Sequence, residues 1–219
     1  MIKVKNLTKK FTRNEKKFDA VHNVSLEVGE GEFAAIIGPS GSGKTTLFNM
    51  IAGLITPDLG EVYIDGSEIT SMEENGKAVF RNQNMGYVLQ GNSLLNNFTI
   101  LDNICMPAYL SANMNEFRQR ALELLKQIGL EEFSNEYPAN LSGGEIRRVS
   151  IVRAMLNNPK VILADEPTSN LDPENSHKVM QMLQDISKSG TTVVLSTHEL
   201  EYLSYVGRIF KMDRGILEQ

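Results

Sequence analysis

Four short apolar runs, each ending abruptly in polar residues, constrain this chain more than any other feature. Phe33–Ile37 runs into Gly38, Met85–Leu89 into Gln90, Val161–Ala164 into Asp165 and Glu166, and Thr191–Ser196 into Thr197 and His198. Runs without polar alternation read as strands covered on both faces, as in a parallel sheet. In open α/β sheets the ligand sits outside the carboxyl ends of the strands, so four strands delivering polar residues to one edge make a site layout. Helices fit between them. Lys44 to Gly53 stops at a glycine shortly before Pro57. Phe117, Ala121, Leu124, Leu125 and Ile128 recur at helical spacing, and Pro173 to Ser187 has Asp172 as its N-cap. The stretch before residue 33, and Glu61–Ile64, look antiparallel. Residues 91–157 carry mostly helical signals, so a helical subdomain inserted into an α/β core is expected.

The 219 residues suffice for one large domain with a real core. A composition of 41% hydrophobic and 22% charged residues is that of an ordinary globular protein. The net charge of −5 argues against nucleic acid as the main partner. Lys9, Lys10, Arg13, Lys16 and Lys17 form the one dense basic cluster, read as a solvated loop or hairpin. The single cysteine, Cys105, excludes an internal disulfide, suits a reducing compartment and reads as a small buried hydrophobe. Met1–Lys10 has no apolar segment of the signal-peptide kind, and no run is long enough to span a bilayer. The expectation is a cytoplasmic chain that meets a membrane only through a partner.

Gly38-Pro39-Ser40-Gly41-Ser42-Gly43-Lys44-Thr45 matches the phosphate-binding pattern G-x-x-x-x-G-K-[ST] between a strand and a helix. Glycines let successive backbone N–H groups curl round a phosphate, and the helix N-terminus adds a positive dipole end. Lys44 would reach the β- and γ-phosphates, and the Thr45 hydroxyl would bind Mg²⁺. Asp165 and Glu166 end a buried strand. Alone such a pair could be a helix N-cap; beside the phosphate loop, Asp165 can help hold Mg²⁺ and Glu166 can polarise an attacking water.

Leu141-Ser142-Gly143-Gly144-Glu145, followed by Arg148 and Arg153, resembles the signature motif of ABC-type ATPases. In that family the serine and glycine amides bind the γ-phosphate held by the opposite subunit. The resemblance runs nearly end to end, and further matches fall in place. Gln90 corresponds to the Q-loop glutamine, Ser169-Asn170-Leu171-Asp172 to the D-loop, and His198 to the switch histidine. Thr46 follows the phosphate loop, and Phe11 stands where the family has an aromatic that stacks on adenine, with a core phenylalanine as the alternative. Wording such as Met85–Gln90, Leu94-Leu95, Asn103-Ile104 and Tyr137-Pro138 is similar to the branch of lipoprotein-release, macrolide-export and bacitracin-resistance ATPases. Glu145 replaces a commoner glutamine, and Ile146-Arg147 replaces a more usual polar pair.

The resemblance implies a P-loop core of ABC type with an antiparallel β subdomain and a helical subdomain, residues 1–219 forming one ATP-binding domain. It implies two copies arranged head to tail around ATP and Mg²⁺, with Phe11, residues 38–46, Gln90, Ser142–Glu145 and Asp172 touching nucleotide. Thr45, Gln90 and Asp165 would meet the metal, and Lys44, Glu166 and His198 would serve hydrolysis. Transmembrane permease subunits would dock near Gln90, with Leu94, Leu95 and Phe98 either at that surface or in the core. The alternative function is a division-associated relative that signals across a membrane without transport. A chromosome-structuring head would need a long coiled coil between Lys44 and Leu141, which the sequence lacks.

Overall fold

A computed structural model describes residues 1–13, 15–109 and 113–218, with only the backbone of Arg13 and Lys16. Gln219, at the end of the expected domain, lies outside the described residues. Strands β1 (Ile2–Arg13) and β2 (Lys16–Val28) form a long antiparallel hairpin, and the basic cluster sits on it. Next come β3 (Phe33–Ile37), α1 (Lys44–Ile51), β4 (Leu59–Ile64) and β5 (Ser67–Glu68). The antiparallel sheet has the order β2-β1-β4-β5. Helix α2 (Glu74–Asn84) leads into β6 (Met85–Val88). Between β6 and β7 (Val161–Asp165) the regular elements are helical: α3 (Ile100–Cys105), α4 (Met114–Gln127), α5 (Gly143–Met155) and short 3₁₀ turns. The chain ends with α6 (Pro173–Lys188), β8 (Thr192–Thr197), β9 (Arg208–Asp213) and β10 (Ile216–Glu218).

The second sheet has the order β10-β9-β3-β8-β7-β6, parallel except for β10. Its central strands are largely apolar up to their polar carboxyl ends because both faces are covered. Ala34, Ile36, Val161, Leu163 and Val194 face a core shared with α1 and the antiparallel sheet. The alternate residues Phe33, Ala35, Ile162, Ala164, Val193 and Leu195 face α6 and Ile151 of α5. Period-two geometry thus splits one apolar run between two cores, and each large side chain buried there contributes about 1.5–3 kcal/mol. A third core, with Ile104, Ala121, Leu125, Val149 and Val152, lies among α3, α4 and α5.

Helix ends follow local chemistry. The Asp172 carboxylate accepts from Asn175 N at 3.0 Å and Pro173 occupies the first turn of α6. The helix α1 stops at Ile51, two residues before the expected glycine, with Gly53 at φ 64°. Cys105 is buried, and burial pushes its thiol pKa up. Leu94 belongs to the helical core, whereas Leu95 and Phe98 are exposed, so the three residues read together divide between core and surface. Helix α2 and strands β9 and β10 are additions to the elements expected from the sequence pattern. Among the described residues no helix is long and apolar enough to cross a membrane.

Candidate functional site

The phosphate loop, residues 38–45, joins β3 to α1. Gly43 has φ 105°, and a Cβ there would lie 2.2 Å from Ala20 O, so this position excludes any side chain. The Ser42 hydroxyl is buried without a hydrogen-bond partner, the kind of orphan donor that a phosphate oxygen satisfies. Lys44 is 4% exposed. Its ammonium donates to Gly38 O at 2.7 Å and Pro39 O at 3.1 Å. Burial pushes its pKa down, and the nearby carboxylates of Glu166 and Asp165 push it partly back. Ser40 and Thr45 are exposed on the same turn.

Glu166 is where three strand ends meet the phosphate loop. Gln90, just beyond β6, donates from Nε2 to Glu166 Oε2 at 2.7 Å. His198, just beyond β8, places Nδ1 3.3 Å from Oε1, and Lys44 Nζ stands 3.9 Å from the same oxygen. Glu166 itself follows β7 and holds a left-handed backbone at φ 47°, which few residues other than glycine adopt and which clusters at functional sites. That conformation is held by its N–H donating to Ser196 O and Ser196 Oγ, both at 3.1 Å. Asp165 is 2% exposed, and its Oδ1 accepts from Ser196 Oγ. One serine at the end of β8 thereby positions both acids. In the sequence Ser196 is marked only as the end of an apolar run.

Two further links were invisible in sequence. Thr168 Oγ1 donates to Glu199 Oε2, joining the turn after Glu166 to the turn after His198. The Tyr87 hydroxyl donates to Asn49 Oδ1 at 2.9 Å, tying β6 to α1. The oxygen donors Thr45, Gln90 and Asp165 are hard ligands of the type Mg²⁺ takes, which usually binds one or two carboxylates together with substrate phosphates. The residues present fit that ion.

Phe11 is not a core residue. It is 36% exposed and lines a cleft of about 440 Å³ with Phe18, Ala20, Gly41, Thr45 and Thr46. Phe11 and Phe18 are cross-strand neighbours with ring centroids 6.2 Å apart. An aromatic ledge therefore adjoins the phosphate loop, and Phe18 is a member that the sequence reading missed.

Ser142 and Glu145 form a capping box at the start of α5. Glu145 Oε2 accepts from Ser142 N and Ser142 Oγ, each at 2.7 Å. These donors favour the charged carboxylate and hold its pKa below the usual range. The box is therefore intact at neutral pH and is lost only as pH falls through that lowered value. Gly144 lies against Asn175 of α6, where a Cβ would come within 2.3 Å of the carboxamide. Among the described residues neither Ser142 nor Glu145 hydrogen-bonds to Lys44, Gln90, Glu166 or His198. The structure brings those four together and places the signature turn beside Leu171 and Asn175 instead.

The sequence profile described as ABC transporter matches residues 21–169. An uncharacterized ABC transporter ATP-binding protein of Methanocaldococcus jannaschii is 43% identical over 98% of this chain and 96% of its own length. The macrolide export ATP-binding/permease protein MacB of Chlorobaculum tepidum is 39% identical over 99% of this chain but only 33% of its own length, so the chain spans about a third of that relative. Among solved structures, the ATP-binding cassette MJ0796, dimeric and bound to ADP and Pi after hydrolysis, superposes with a TM-score of 0.92. It is 41% identical, and the match covers 100% of this chain and 97% of that one.

Proposed function

The chain belongs to the ABC transporter family, and on that premise we propose that it is the MgATP-hydrolysing subunit powering export or extraction of a substrate through separate transmembrane subunits. The carrying observation is the convergence of Gln90, His198 and Lys44 on the Glu166 carboxylate at the carboxyl edge of a parallel sheet. The proposal takes residues 1–219 as one ATP-binding domain, with the helical subdomain at roughly 91–157. The macrolide-export relatives support export, and the proposed substrate is of antimicrobial-peptide, macrolide or lipoprotein type.

In this reading the N–H groups of residues 38–46 and the Lys44 ammonium hold the phosphates, and the ledge of Phe11 takes the base. Glu166 accepts a proton from, or orients, the attacking water, while Gln90 and His198 hold its carboxylate in place. Thr45, Gln90 and Asp165 would hold Mg²⁺, which would supply neutralisation of phosphate charge. The amides of Ser142–Gly144, with Asp172 on the adjoining turn, are offered to the γ-phosphate of a second copy arranged head to tail. Permease subunits would cover the apolar surface around Leu95 and Phe98, placing the chain peripherally on the cytoplasmic face.

Two measurements test this. Purified protein should release phosphate from ATP in Mg²⁺ and stop in EDTA, and tagged protein from solubilised host membranes should retain an integral membrane permease. Mg²⁺-independent turnover, or a chain recovered free of any permease, would count against it. A permease of four helices with a large extracellular domain points to the macrolide or lipoprotein type, and one of ten helices to the bacitracin type. Separately, Phe11→Ala should raise the nucleotide Kd roughly tenfold, since base stacking is worth about 1–3 kcal/mol. Its melting temperature should hardly move, because the ring is at the surface. Unchanged affinity by titration calorimetry would remove Phe11 from the site.

A further inference from the structure

We propose that Arg147 is a positioning residue for hydrolysis, orienting the peptide from which Gln90 reaches Glu166. The inference rests on the roles given above to Gln90 and Glu166. Strand β6 ends at Val88, and the strap that follows is fastened to α5. Arg147 is 4% exposed and its Nη1 donates to Leu89 O at 2.8 Å. Arg153, further along α5, donates from Nη1 to Ser93 O at 2.9 Å and from Nη2 to Ser93 Oγ at 2.6 Å. Leu94 is then buried with Val149 and Val152 of the same helix.

The Leu89 carbonyl and the Gln90 amide belong to one planar peptide unit. A guanidinium that holds the carbonyl therefore fixes the direction in which Gln90 leaves the chain, and its Nε2 meets Glu166 Oε2 at 2.7 Å. Among the described residues neither arginine has a carboxylate within ion-pair distance, and burial pushes both guanidinium pKa values down. A buried charge without a counter-ion is costly, and an apolar side chain of similar volume would serve a core better. What the arginine adds is directed donors. Replacement of the family's more usual polar pair by Ile146-Arg147 thus falls on the helix whose first turn carries Ser142, at the point where that helix holds the strap of Gln90.

The test is a double-mutant cycle on the purified ATPase. Arg147→Met keeps an unbranched apolar stem and removes the donors. We expect kcat to fall roughly 10- to 10²-fold, as for a small misplacement near the chemistry, with the KM for ATP almost unchanged. In a Gln90→Ala background the same substitution should cost nothing more. Arg147→Lys, which keeps a donor for Leu89 O, should recover most of the rate. Equal losses in both backgrounds would overturn the proposal, as would a lowered melting temperature with unaltered kcat. If Arg147→Met does not fold, Arg147→Lys runs the same cycle, with a smaller loss expected beside Gln90 and none beside alanine; equal loss in both again overturns it. If Gln90→Ala alone leaves kcat unchanged, the role of Gln90 itself fails, a result distinct from failure of the cycle.

Discussion

Glu166→Gln protein is expected to keep binding ATP, to hydrolyse it about 10²–10⁴-fold more slowly, and to elute as a dimer in MgATP but as a monomer without nucleotide. Glutamine has the shape of glutamate, so the left-handed turn and its bonds to Ser196 can persist. Lys44, Thr45 and Asp165 are untouched, so the groups assigned to binding remain. What would be lost is the charge proposed to accept a proton or polarise water. Hydrolysis would no longer clear the γ-phosphate, and the signature amides proposed to reach it from a second chain would keep their ligand. Adding Ser142→Arg should abolish the dimer, because a bulky cation would fill the phosphate's approach. Ser142 is also an N-cap, so the double variant must melt close to the single one for the result to bear on the interface. Size-exclusion chromatography with light scattering reads the outcome. A Glu166→Gln protein that stays monomeric in saturating MgATP, alone and with its co-expressed permease, would refute the shared site.

Lys44→Ala should reduce hydrolysis to background and weaken ATP binding by roughly 10- to 10²-fold, the worth of one or two charge-assisted bonds. The side chain is almost fully buried at the mouth of the loop, 3.9 Å from Glu166 Oε1. Removing it would delete that cation and leave the proposed Mg²⁺ as the main positive charge between Asp165, Glu166 and the triphosphate, so repulsion would add to lost attraction. The carbonyls of Gly38 and Pro39, which accept from Lys44, also lose their donor, and a modest fall in melting temperature should accompany the loss of affinity. Turnover like that of the unaltered protein would sink the assignment.

The parts of this molecule legible in sequence are those where one local rule decides. Apolar runs without alternation have two buried faces, and all four proved to be adjacent parallel strands, β3-β8-β7-β6. Asp172 and Pro173 start α6 because capping is a matter of a few neighbouring residues. Other elements escaped where the pattern is weak. Helix α2 buries only Lys77 and contains Gly76, so it shows no apolar stripe. The strand β9 alternates, with Arg208 and Lys211 exposed beside Phe210 and Met212, and looks polar on a coarse reading. At the site, each strand end was visible, but which groups touch was not. That depends on register: β8 pairs with β7 so that Ser196 falls opposite Asp165. Phe18 likewise becomes a neighbour of Phe11 only through the pairing of β1 with β2.

The contact between Gly144 and Asn175 has a consequence for assembly. Gly144 sits in the first turn of α5 and Asn175 in the first turn of α6, and the two meet with no room for a methyl group. Hard-core repulsion rises over tenths of an ångström, whereas hinges and long side chains yield over several. The offset between the amides of α5 and the Asp172 turn is thus gauged by steric contact within a single chain. In the proposed two-fold dimer each chain would present that same gauge to the other. Both proposed composite sites would then share one tolerance, and a chain that mates correctly at one would already be in register for the second.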